Sequence, residues 1–193
     1  MLKKIYYKLP QDGIFRKYII QIYLILLQLF NFTLNLTPFL SIKKILCIIV
    51  GMKIGKNVNL CGGIRFLAFG NFEIGDFSII NRNCLIDNRE KITIGKNVSV
   101  ATGVSIFTKG HDIEDVNFCM NGAPVSIEDC ACIYASSLVM PGVNIGFGSV
   151  IYPGSIVTKS VERMTVVAGN PAKMIKKRIA VPGYSLSSNF WYS

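Results

Sequence analysis

The chain has 193 residues, 51% of them hydrophobic, with one histidine, six cysteines and a formal net charge of +10. That length suits one domain with a modest appendage, and the aliphatic content is enough for a sizeable core. A single histidine and the absence of any C-x-x-C pair leave no metal-ligand set of the usual spacing, and the basic residues are not interleaved with the aromatics of a nucleic-acid binder.

The basic residues gather at two places. Lys3, Lys4, Lys8, Arg16 and Lys17 crowd the N-terminus, and Lys173, Lys176, Lys177 and Arg178 lie near the end. Each cluster reads either as a solvated face or as a partner site, for an anionic membrane at the first and for phosphate at the second. Between Lys17 and Lys43 there is no charge, and the run YIIQIYLILLQLF is about 13 residues long, short of the roughly 20 a membrane span needs. Gln21, Gln28, Asn31, Asn35 and Pro38 also stand against a span, and no small-residue cleavage site marks a signal peptide. Residues 1–53 therefore read as a helix, a break near Pro38 and a second helix, SIKKILCIIVG, capping the domain that follows. A basic flank before an apolar helix also suits peripheral attachment of residues 1–37 to a membrane surface.

From Ile54 onward an aliphatic residue recurs every six positions: Ile54, Leu60, Phe66, then Ile74, Ile80, Ile86, then Ile94, Val100, Ile106. Each triplet is followed by a step of eight, so equivalent positions return every 20 residues. After an interruption the series resumes as Ile127, Ile133, Val139, Ile145, Ile151 and Val157, and the repeat tightens to 18. Most positions four further on are small or β-branched, as at Ala131, Ser137, Val143 and Ser149. Neither a helix nor an ordinary strand has that period; a fixed internal repeat means a solenoid. Three hexapeptides per coil describe a triangular prism of about five coils over residues 54–167, starting at Ile54, Ile74, Ile94, Ile127 and Ile145. Residues 168–193 are expected to form a short C-terminal helix and tail.

The cysteines Cys47, Cys61, Cys84, Cys119, Cys130 and Cys132 fit this frame as reduced packing residues of a cytoplasmic protein. Cys130 and Cys132 lie two apart on an expected strand, facing one side, so no bridge between them is expected.

The interruption, residues 107–126, contains FTKGHDIEDVNFCMNGAPVS, and long loops on rigid scaffolds are favoured places for function. His111 stands at its root. Alone, a single histidine reads as a chance surface imidazole; at the one break of a regular repeat it becomes a candidate base. No G-x-S-x-G elbow occurs and no cysteine adjoins the histidine, so nothing points to a covalent route. Asp112, Glu114 or a backbone carbonyl would orient the imidazole. Phe118 and Met120 read as a lid, a subunit contact or a loop anchor.

The segment SIEDCACIYASSLVMPGVNIGFGSVIYPGSIVTKSVERMTVVAGNPAKMIKK, ending in GSIVTK and AGNPAK, resembles the hexapeptide-repeat acyltransferases. These include galactoside, maltose, xenobiotic and surface-polysaccharide O-acetyltransferases, and the likeness extends over residues 40–178. It implies a left-handed parallel β-helix, an exception to the right-handed crossover rule, and a homotrimer whose grooves are lined by neighbouring subunits. It implies acetyl-CoA as donor and His111 as general base for attack by an acceptor hydroxyl, a role that typically contributes about 10²–10⁴-fold. Asn83 matches a position where asparagine helps hold the acceptor, and reads equally as a tight-turn residue. Asp112, Glu114 and Asp87 are further acceptor candidates, the last two chosen on chemistry alone.

Carried over position by position, coenzyme A contacts fall at Ala135, Pro153, Thr158, Lys159, Lys173 and Lys176. The two last lysines suit phosphates as point charges, or simply keep the end solvated. Two departures stand out. Pro153 replaces the family's usual alanine and offers no N–H, and Tyr134 replaces its usual glycine. The acceptor expected is a sugar of a surface polysaccharide or its lipid-linked precursor, with xenobiotic or serine acetylation as the alternative enzymes. A γ-class carbonic anhydrase shares the prism but needs three zinc-bound histidines, and a non-catalytic scaffold would have no use for His111 together with the preserved ending.

Overall fold

A computed structural model describes residues 14–186. The basic cluster Lys3, Lys4 and Lys8 and the last seven residues of the tail lie outside the described residues.

The six-residue ladder becomes a left-handed parallel β-helix. Its first face is a five-stranded sheet of Lys53–Ile54, Phe72–Ile74, Ile92–Ile94, Val125–Ile127 and Asn144–Ile145. The second face has seven strands, from Asn59–Leu60 to Ala172–Lys177, and the third has five, from Arg65–Phe66 to Ile156–Val157. Register follows the repeat: Ile54 pairs with Ile74, Ile74 with Ile94, and Ile127 with both Ile94 and Ile145. After five coils the chain completes two faces of a sixth, marked by the pairing of Ile145 with Val161 and of Ile151 with Val167.

The inward residues explain why this packing forms. Leu60, Phe66, Ile80, Ile86, Val100, Ile106, Ile133, Val139, Ile151 and Val157 are all buried in one apolar column. Each large aliphatic side chain removed from water contributes about 1.5–3 kcal/mol. The small residues four positions on let the corners turn: Ser137, Ser149 and Ser155 are buried, and their hydroxyls donate to the carbonyls of Tyr152, Gly146 and Tyr152 respectively. Several corners need positive φ, supplied by Asn57, Asn83, Asn97 and glycines such as Gly63 and Gly103.

Two helices close the N-terminal end, α1 (Ile14–Leu36) and α2 (Leu40–Ile49). Leu27, Phe30 and Leu34 of α1 pack onto the core, with Phe30 against Phe66 and Phe69. The first coil exposes the backbone of an unpaired edge, and side chains from the helices satisfy it. Asn31 accepts from the Phe66 N–H and donates to the Phe66 carbonyl, both at 2.9 Å. Asn35 bridges two neighbouring residues, accepting from the Gly63 N–H at 2.8 Å and donating to the Ile64 carbonyl at 3.0 Å. Lys43, buried, reaches the Leu60 carbonyl at 3.0 Å, and Lys44 reaches that of Gly55 at 2.8 Å. Two asparagines four apart on one helix thus replace a neighbouring strand, as an otherwise exposed edge requires.

Two expectations are corrected. The helix expected after residue 168 is the strand Ala172–Lys177, antiparallel to Thr165–Gly169. The last parallel strand would otherwise end the sheet with unpaired backbone groups, and pairing with the returning chain overrides the helix propensity of AKMIKK. The N-terminal helix is also longer than the 13-residue apolar run suggested: α1 has 23 residues and is long and apolar enough to cross a membrane. Asn31 and Asn35, which argue against a span by composition, are tolerated in it because the solenoid edge takes up their amides.

Candidate active site

His111 ends the strand Lys109–His111, which pairs antiparallel with Met120–Gly122 to make a hairpin projecting from the third corner of the prism. Its Nδ1 lies 2.7 Å from the Phe118 carbonyl oxygen. A carbonyl only accepts, so Nδ1 carries the proton, and in the neutral imidazole Nε2 is the nitrogen with the free lone pair. The Phe118 ring stacks on the imidazole, centroids 4.4 Å apart and planes within 1°. Phe118 holds φ at 49°, and its N–H donates to the Asp115 carbonyl. The loop therefore presents both the carbonyl and the ring of one residue to the histidine.

Of the three orienting partners the sequence left open, the carbonyl is the one in place. Asp112 instead accepts from the Glu114 N–H at 3.0 Å, forming an Asx turn, and its own N–H donates to the Cys119 carbonyl. Glu114 is exposed. Cys119 departs from its expected packing role: it is exposed in the same loop. A hydrogen bond to Asp115 pushes its thiol above the ordinary range, which disfavours a thiolate nucleophile.

The base of the hairpin is held by Asp87, a fully buried carboxylate. Arg89 Nε and Nη2 donate to its two oxygens at 2.7 and 2.9 Å, and the Thr108 and Lys109 N–H groups donate to Oδ2 at 3.2 Å. Burial alone would raise the Asp87 pKa; the guanidinium and the backbone donors outweigh it and leave the carboxyl below its usual range. The Thr108 hydroxyl donates to the Asp87 carbonyl at 2.6 Å, and Lys109 pairs with Glu90 at 2.8 Å. Asp87, an acceptor candidate from its chemistry, has its oxygens engaged by Arg89 and by the backbone two and three residues before His111. The spacing D-x-R after a third-face strand is the signal that would have pointed there.

An open depression of about 290 Å³ adjoins the hairpin, lined by Gly110, His111, Asn121, Gly122, Ala123 and Pro141. The remaining candidates separate into two groups. Thr158 and Lys159 are exposed at the third corner, just after the strand Ile156–Val157. Asn83, Ala135 and Pro153 sit at the second corner, between second-face and third-face strands. Asn83 has φ 59°, and its Oδ1 lies where a side chain on Gly63 would have to go, so it also serves the turn. Lys173 and Lys176 are exposed on the strand Ala172–Lys177 at the edge of the second face. Tyr134 is half exposed at the second corner, edge-on to Tyr152 with centroids 6.3 Å apart. Within one chain, then, His111 and Asn83 belong to different corners. Among the described residues, no group of three His, Cys, Asp or Glu side chains is placed to hold a metal ion.

Comparison with known proteins gives a consistent result. No family model matches the chain. WcaF of Escherichia coli, named provisionally as a colanic acid biosynthesis acetyltransferase, is 30% identical over 129 residues, 67% of this chain and 71% of that protein. A protein of Saccharomyces cerevisiae named provisionally as an acetyltransferase is 42% identical over 111 residues, and the chain spans only 56% of its length. Among solved structures, a maltose O-acetyltransferase from Clostridium difficile superposes with a TM-score of 0.74 at 30% identity, over 80% of this chain and 85% of that one. A galactoside acetyltransferase in complex with coenzyme A gives 0.73 at 27% identity, over 79% of each chain.

Proposed function

The chain belongs to the hexapeptide-repeat acetyltransferase family, and on that premise we propose that it moves an acetyl group from acetyl-CoA to a hydroxyl of a sugar, with His111 as general base. The observation that carries this reading is the 2.7 Å contact from Nδ1 to the Phe118 carbonyl, which in the neutral ring selects the tautomer that leaves Nε2 to accept a proton. Nε2 takes the proton of the acceptor hydroxyl as its oxygen attacks the thioester carbonyl. The tetrahedral intermediate collapses, the carbon–sulfur bond breaks, and the imidazolium returns its proton to the departing thiolate. No acyl-enzyme is formed, in keeping with the protonated state favoured at Cys119.

Coenzyme A is the donor class seen with the galactoside acetyltransferase. Here it would run past Ala135, Pro153, Thr158 and Lys159, with Lys173 and Lys176 near its phosphates. Pro153 contributes only its carbonyl or its ring to that groove. The acceptor candidates are Asn83, Asp112 and Glu114. Because these residues occupy two corners of the prism, the reading includes a homotrimer in which the third corner of one subunit faces the second corner of the next. The acceptor class is a surface-polysaccharide sugar, supported by the likeness to WcaF, and the place of action is the cytoplasm. The test is acetyl-CoA consumption by the purified chain across a panel of saccharides, nucleotide sugars, serine and chloramphenicol. An O-acetylated saccharide identified by mass supports the proposal; acetylation of serine or chloramphenicol alone would replace the acceptor class.

A further inference from the structure

The helical cap has a second apolar face that the solenoid does not use. On α1 the inward face is Leu27, Phe30 and Leu34. The opposite side carries Phe15, Tyr18, Ile22, Ile25, Leu29, Phe32 and Leu36, each between 51% and 73% exposed, spaced alternately three and four apart along the whole helix. That spacing puts them in one continuous row. On α2, Ile42, Ile45 and Ile49 repeat the pattern, with Ile49 at 74% exposure. Soluble proteins rarely leave so many large apolar side chains contiguous and uncovered.

We infer that this outward face of α1 and α2 is a docking surface for a bilayer rich in anionic lipid, on which the helices lie flat. Charge selects this occupant over a second copy of the chain. From residue 18 to residue 42 there is no charged side chain, so the row lacks the flanking acidic and basic pairs that set register between helices packed in water. The charges gather at and before its N-terminal end: Lys3, Lys4, Lys8, Arg16 and Lys17, against Asp12 alone, suit anionic headgroups and would repel the same cluster on another copy. A membrane crossing by α1 is opposed by its inward face, where Asn31 and Asn35 are bonded to the solenoid edge. A helix with one face on the protein and one on lipid lies in the interface, its apolar side reaching the headgroup–acyl boundary. The surface extends the peripheral contact expected for residues 1–37 onto α2, and it stands independently of the acyl-transfer reading.

The test is flotation of the full chain with vesicles of phosphatidylcholine alone and of two parts phosphatidylcholine to one of phosphatidylglycerol. The chain should bind the anionic vesicles, less at high salt, and be released by alkaline carbonate. Ile22→Gln/Ile25→Gln/Leu29→Gln should lower binding by at least about tenfold. Leu24→Gln, exposed but off the row, should leave it unchanged. Ile45→Gln/Ile49→Gln on α2 gives a second variant should the first fail to fold. Equal binding to both vesicle types, undiminished binding of the folded variants, or resistance to carbonate would overturn the proposal. So would a wild-type chain that ignores vesicles and loses an oligomeric contact in the triple variant, which would assign the row to a second copy.

Discussion

The Phe118 carbonyl oxygen sits 2.7 Å from Nδ1 of His111, while the ring of the same residue lies flat on the imidazole. Orientation and tautomer of the candidate base are thus set by one loop residue in a left-handed backbone conformation. Phe118→Ala keeps the carbonyl and removes the stack, a contact worth about 0.5–1.5 kcal/mol. We expect kcat to fall by up to about tenfold with KM for acetyl-CoA little changed. A larger rise in KM than fall in kcat would show the ring acting on substrate instead.

Asp87 anchors the hairpin through Arg89, Thr108 and Lys109. Asp87→Asn leaves the guanidinium without its charge partner, and breaking a buried pair typically costs about 3–5 kcal/mol, less here because Arg89 is partly exposed. Thermal unfolding and kcat should both drop. The sign of the pH effect follows from the lowered carboxyl pKa. The contribution of Asp87 to stability is present above the unfolded-state carboxylate range and is lost as pH falls through its folded value. Wild type should therefore lose stability toward acid more steeply than the Asn variant; parallel profiles would remove Asp87 from this role.

Asn31 and Asn35 substitute for a strand at the open end of the prism. Replacing both with alanine leaves two N–H and two C=O groups of the first coil without these partners, at about 1–3 kcal/mol for each that water cannot reach. The double variant should unfold at clearly lower urea and show a raised tendency to associate through the edge. Unchanged stability would mean water serves the edge equally well.

Much of this was legible in the sequence because a solenoid writes its geometry into a period. The pairings of Ile54 with Ile74 and of Ile127 with Ile145 follow directly from steps of 20 and 18. His111 stood out because the repeat breaks beside it. What stayed hidden depends on contacts between distant residues. The orienting carbonyl of Phe118 is chemically identical to every other carbonyl in the chain, and Asp87 could be told from an acceptor ligand only once Arg89 and Thr108 were seen against it. The C-terminal strand is not legible in local propensity, because an open sheet edge decides the conformation of Ala172–Lys177.

Lys173 and Lys176 are both exposed on the terminal strand. Lys173→Ala/Lys176→Ala should weaken coenzyme A binding, and the loss relative to wild type should grow as salt is lowered, because unscreened charge matters most there. Calorimetric titration at two ionic strengths reads this directly; a loss independent of salt would assign the pair a structural role.

His111 and Asn83 occupy different corners of one chain, and the proposed homotrimer would bring the two corners together from neighbouring subunits. Mixed trimers assembled from inactive His111→Ala and inactive Asn83→Ala chains should regain activity, since some interfaces then pair an intact third corner with an intact second corner. Mixtures as inactive as their parents would place the whole site in one subunit.

The most direct measurement is thiol release from acetyl-CoA with a saccharide acceptor, comparing wild type with His111→Ala and determining the coenzyme A Kd of both. The account predicts a kcat lower by about 10²–10⁴-fold in the variant with Kd unchanged. Turnover retained by His111→Ala would contradict it.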